Sequence, residues 1–151
     1  MAGTNDNTPR EISYNLNKYG VRFDMPDNLR HVSINAKSLP SIYEYDYDPN
    51  ILRTVLNYEF MGNTDQDSID PNNPIKLTIY LTPEDLYFAQ KDINKIKIYD
   101  WKPKVGNWAE KNIVGRELIS PSPPPWSKAA FIGYVIIEIK DWSDPPVAVG
   151  R

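Results

Sequence analysis

The clearest order in this chain is a two-residue alternation of apolar and polar positions that recurs in short runs. Ile75, Leu77, Ile79 and Leu81 fall on one face of an extended segment, with polar or smaller neighbours between them. Ile12, Tyr14 and Leu16 predict a first strand, and Val21, Phe23 and Met25 predict a second that breaks at Pro26-Asp27-Asn28. Val32, Ile34 and Ala36 continue the same period. In Tyr43-Glu44-Tyr45-Asp46-Tyr47-Asp48 the alternation places three rings on one face and three carboxylates on the other.

Other segments extend the pattern. Ile51 to Phe60 carries helical spacing at Ile51, Leu52, Val55 and Leu56, but β-branched and aromatic residues crowd its second half, so a strand is preferred. Gly62 to Asn73 reads as a polar, acidic loop. Thr82-Pro83-Glu84-Asp85 is a helix start, with a capping hydroxyl, a proline at the first position and acids near the positive dipole end; the helix is expected to run to Gln90. Ile96 and Ile98 open a strand reaching Trp101, Lys102 to Asn107 supply a turn, and Trp108 begins the return strand. Ser120 to Trp126 is a stiff, proline-rich connector. Gly133 to Lys140 is apolar on both faces and belongs in a sheet centre. Asp144-Pro145-Pro146 is expected to close the fold before a short tail.

These elements predict an all-β fold, an antiparallel, immunoglobulin-like β-sandwich with one short helix. They form one domain over residues 11–151 behind a flexible stretch, residues 1–10. At 151 residues with 40% hydrophobic content, the chain can bury a real core. Fourteen prolines, ten tyrosines and four tryptophans fit many short strands joined by stiff turns.

Charge and reactive residues narrow the function. A net charge of −3 with no basic block argues against nucleic-acid binding through phosphate neutralisation. No apolar run is long enough to span a bilayer, and the first residues lack the apolar core of a signal peptide. The chain is therefore expected to be intracellular, or to be an extracellular or cell-surface domain from which a signal was removed. The absence of cysteine excludes disulfides and thiolate chemistry, and a single histidine, His31, excludes histidine-rich metal sites and most base-driven triads.

Three stretches together carry a family resemblance. Gly20 to Pro26, Pro74 to Tyr80, and Ile96 to Trp101 with Trp108 resemble, in that order, strands of the β-sandwich domain shared by ankyrins, netrin receptors and bacterial surface and secreted proteins. The chain departs from that pattern after Pro26, where Asn28-Leu29 stand in place of Gly-Ala. The resemblance implies a non-enzymatic interaction or spacer module, and no catalytic residue transfers with it.

Several side chains are candidate sites. Tyr99 and Trp101 have the parity opposite to Ile96 and Ile98, so with Trp108 they form an expected outer aromatic face for a protein partner or a glycan. Asp65, Asp67 and Asp70 offer closely spaced oxygens for calcium, although a glycine at the sixth position and a glutamate at the twelfth are missing. Glu44, Asp46 and Glu84 are the carboxylates a hydrolase would draw on, but no pattern pairs them. The leading expectation is a non-catalytic interaction or structural module, an accessory part of a bacterial surface or secreted assembly. The alternative is a carbohydrate-binding module, possible calcium bracing included.

Overall fold

The alternating run at Ile75 becomes the strand around which one half of the molecule is built. The computed structural model describes residues 20–37, 49–102, 106–122, 131–143 and 146–151. In that strand, β5 (Ile75–Leu81), the side chains of Ile75, Leu77, Ile79 and Leu81 are all fully buried. On one side β5 pairs with β1 (Val21–Asp24), Phe23 opposite Leu77. On the other it pairs with β9 (Phe131–Ile139), where Ile139, Ile137 and Val135 stand opposite Ile75, Leu77 and Ile79. Such apolar cross-strand pairs, inward on every second residue, hold the register against slippage. Beyond β9 lies β8 (Ile113–Ser122), giving the order β1-β5-β9-β8 among the described residues.

A second four-stranded sheet packs against the first. Its order is β3 (Ile51–Leu56), β10 (Val147–Gly150), β6 (Lys97–Lys102) and β7 (Asn107–Lys111). A smaller pair, β2 (Ser33–Ala36) with β4 (Tyr58–Met61), flanks them. All pairings among the described residues are antiparallel. Ile98, Val147 and Val149 from the second sheet join β1, β5 and β9 residues in one core, so the fold is an all-β sandwich. The segment from Ile51 is two consecutive strands, β3 and β4, and β9 lies inside its sheet.

One expectation is corrected. Residues 147–150 are no tail: they form β10, in the middle of the second sheet, with all four residues buried. Gly150 is required there by close approach, because a Cβ would sit 2.3 Å from the Asn50 carbonyl oxygen and 2.6 Å from Cε2 of Tyr99. The early strand at Ile12, the Tyr43–Asp48 alternation and the Pro123–Trp126 part of the connector lie outside the described residues.

The helix, α1, spans Pro83–Phe88. Thr82 Oγ1 accepts from the Asp85 N–H at 3.2 Å, and an Asp85 carboxylate oxygen accepts from the Thr82 N–H at 2.9 Å, a reciprocal capping box. Arg53 of β3 adds two donors at 2.8 Å each to the same carboxylate, which ties α1 to the second sheet. The helix stops two residues short of Gln90 because Gln90 and Lys91 take left-handed φ values of 60° and 61°. The Lys91 N–H then reaches the Leu86 carbonyl at 2.7 Å and the Gln90 N–H that of Tyr87 at 3.1 Å, closing the helix in a Schellman motif without glycine.

Candidate functional site

The aromatic residues singled out from sequence do come together, on the face of the second sheet opposite Ile98. Trp101 of β6 stands opposite Trp108 of β7, with ring centroids 5.5 Å apart and planes at 69°. Instead of an exposed platform, however, Tyr99 and Trp108 are only 7% and 8% exposed and pack with Ile51 and Ala148, while Trp101 is half-buried. The Tyr99 ring lies across Gly150 and its hydroxyl donates to the Arg151 carbonyl at 3.3 Å. These rings form a second, smaller core. Strand parity names the face of a side chain but carries no information on what packs over that face.

The acidic loop is organised by its own chain. Asp67 accepts from the Thr64 N–H at 2.8 Å and pairs with His31 Nε2 at 3.0 Å. The His31 hydrogen bond, followed by that of the Thr64 backbone, holds the Asp67 carboxyl below its ordinary value. Asp70 caps the Asn72 N–H at 2.9 Å, while Asp65 is exposed. The loop is pinned from inside by buried Ile69, and from above by Trp142, whose indole N–H donates to the Asp67 carbonyl at 3.1 Å. Among the described residues, no three His, Asp or Glu side chains converge as a metal site. Glu44 and Asp46 lie outside the described residues.

A different surface stands out. Tyr87 and Phe88 on α1 are 69% and 47% exposed, and Leu118 on β8 is 59% exposed. They enclose a groove of about 750 Å³, whose lining continues with Pro83, buried Leu86 and half-buried Ile132. Glu84 and Lys91 add one charge of each sign to that lining. Each feature has a local cause. The cap and the Arg53–Asp85 pair turn Leu86 inward, and the next two positions must then project, since successive helical residues point about 100° apart. Leu118 stands opposite Gly133, so no cross-strand side chain covers it. A Cβ at Gly133 would meet the Glu117 carbonyl oxygen at 2.8 Å.

Sequence reasoning passed over Tyr87, Phe88 and Leu118. A signal was present for the first two: adjacent aromatics following an apolar residue on a one-turn helix cannot all face the core. For Leu118 there was none, because its exposure depends on a glycine fifteen positions away that only pairing brings opposite it.

A second hollow, of about 310 Å³, is lined by buried Asp100 with lysines and glutamates from β6, from β7, and from the end of β9 and the residue after it. Asp100 is flanked by Lys102 at 3.1 Å and Lys111 at 3.7 Å, and Glu138 by Lys140 at 3.9 Å, so its charges neutralise one another.

No protein-family model matches this chain, and no characterised protein or solved structure shows significant similarity to it.

Proposed function

We propose that this protein is a non-catalytic interaction module that docks a protein partner through the groove between α1 and β8. The observation that supports this reading is the convergence of Tyr87, Phe88 and Leu118, three of the most exposed large apolar side chains, on one concavity. Scattered exposed apolar residues are ordinary, but a contiguous patch around a groove marks a recognition surface. Aromatic side chains suit such a role, since they bring large contact area at a low cost in side-chain entropy. The resemblance of Gly20 to Pro26, Pro74 to Tyr80 and Ile96 to Trp101 to a sandwich domain of bacterial surface proteins points the same way. It adds the setting we favour, an accessory part of a surface or secreted assembly.

The test is solvent mapping by amide NMR, titrating isopropanol and phenol into the labelled protein. Shifts concentrated at residues 84–91, 118 and 132, and lost in Tyr87→Ser, are the expected result. Shifts spread evenly over the surface, or gathered elsewhere, would remove the groove as the recognition site.

A further inference from the structure

We infer that the hollow between the end of α1 and the start of β6 is a binding site for a phosphate monoester carried on a small organic body. It lies across Phe88 from the groove between α1 and β8, shares only that residue with it, and stands whether or not the groove docks a partner. The hollow encloses about 600 Å³, and three cations, Lys95, Lys97 and Arg151, line it together with the side-chain amides of Gln90 and Asn94. No acidic side chain is part of that lining. Lys97 is matched by Glu110 at 3.7 Å, but Lys95 and Arg151 make no ion pair among the described residues. Two uncompensated cations face one hollow in a chain whose net charge is −3. They match the charge of about −1.5 to −2 that a phosphate monoester carries near neutral pH. A carboxylate or a sulfate ester, each with a single charge, leaves one cation unmatched.

The cations are held in place by their own chain. Gly150 of β10 pairs with Lys97, which sets Arg151 beside the start of β6. The Arg151 N–H donates to the Asn50 carbonyl at 2.9 Å, its carbonyl accepts from the Tyr99 hydroxyl at 3.3 Å, and its guanidinium donates to the Phe88 carbonyl at 3.1 Å. One guanidinium nitrogen is thus anchored on a neutral oxygen, and the rest of the fork is left for an oxyanion, the planar geometry that suits phosphate. Lys95 ends a single 3-10 turn, Ile93–Lys95, which Arg116 of β8 fixes by donating to the Ile93 and Ile96 carbonyls at 2.7 Å each. The Lys95 ammonium donates to Gln90 Oε1. Gln90 and Lys91 hold left-handed backbones, where glycine is the favoured residue. A side chain kept on a strained backbone points to a use that glycine lacks, and the Lys95 tether is one. The volume exceeds what a bare phosphate fills, and the exposed Phe88 ring gives an apolar wall to the body that carries it.

Amide NMR on the full chain, titrated with glucose 6-phosphate, tests this. Saturable shifts at residues 88–97 and 151 are expected, with a dissociation constant of about 1 mM or below, the range of a few charge-assisted hydrogen bonds at an open site. Lys95→Gln and Arg151→Gln should each weaken binding by about fivefold or more, while Lys76→Gln, which removes an exposed cation outside the hollow, should leave it unchanged. Gln90→Gly keeps every charge and removes the tether. It should weaken binding by roughly threefold even as it stabilises the fold, a split that a merely structural Gln90 would not produce. Near-ultraviolet circular dichroism confirms that each variant is folded. Glucose and glucose 6-sulfate, at the same concentration and ionic strength, should both bind several-fold more weakly than the phosphate. Equal binding of glucose 6-sulfate would overturn the assignment to a phosphate monoester, and equal binding of glucose would overturn an anion site altogether. Absence of saturable shifts, or shifts unchanged in both Lys95→Gln and Arg151→Gln, would overturn the site itself.

Discussion

Replacing Asp85 with alanine tests the junction that presents the groove. Asp85 is 2% exposed and its carboxylate does two jobs. It accepts both guanidinium donors of Arg53 at 2.8 Å, and it accepts the Thr82 N–H at 2.9 Å as half of the capping box. Loss of a cap costs about 1 kcal/mol, while breaking a buried ion pair costs about 3–5 kcal/mol because the stranded partner stays desolvated. Here the Arg53 side chain is 33% exposed and can recover water, so that second figure must be discounted. A total near 3 kcal/mol results, which lowers the melting temperature of a chain this size by about 6–12 °C. Urea denaturation measures it directly, and Asp85→Asn, which keeps an acceptor for Thr82, should fall between the wild type and alanine. In a double-mutant cycle with Arg53→Met, the two losses should be less than additive by about 1–2 kcal/mol. A loss below about 1 kcal/mol, or strict additivity with Arg53→Met, would refute the view that this pair anchors α1 to the second sheet.

Three further outcomes follow from the geometry. Asp67, lowered by His31 and the Thr64 backbone, contributes stability that is present above the ordinary carboxylate value of 3.8 and lost as pH falls through its lower folded value. Carboxyl NMR titration should show Asp67 titrating below the ordinary carboxylate value, and His31→Gln should move it upward; an ordinary Asp67 value in the wild type would contradict the contact. Gly150→Ala drives a Cβ into the Asn50 carbonyl and should cost upward of about 3 kcal/mol, whereas Gly115→Ala meets only the movable end of Ile136 at 3.2 Å and should cost about 1 kcal/mol or less. Chemical denaturation of the two variants decides, and equal losses would argue against β10 lying where it does. Gln90→Gly relieves a left-handed residue at the end of α1 and should stabilise the fold by about 1 kcal/mol, with a destabilised variant speaking against that helix ending.

Much of the fold was legible because it is written in local periods. The alternation over Ile75 to Leu81, the capping signature at Thr82 to Asp85 and the Trp101 to Trp108 hairpin each depend on residues close in sequence. The chain therefore carries its β-strands, its short helix and its apolar in-facing positions on its surface, as it were, for reading. Nothing local marked Val147 to Gly150 as a strand: four residues are too few to show a period, and all are buried because β3 and β6 flank them and other elements cover both faces.

The candidate site divides the same way. Sequence placed Tyr99 and Trp101 on the face opposite Ile98, yet only the packing of Trp108, Ile51 and Ala148 decided that this face is closed. It marked Asp67 as a carboxylate in a polar loop, and the fold brought His31, thirty-six positions away, to pair with it. It held Tyr87 and Phe88 in plain view on a one-turn helix, while the groove beside them needed Leu118 and Ile132 from strands that reach α1 only in the assembled sandwich. The physical reason is common to all three. Strand and helix periods are set by neighbouring side chains and backbone geometry, whereas exposure, pairing and concavity are set by contacts between segments far apart in the chain.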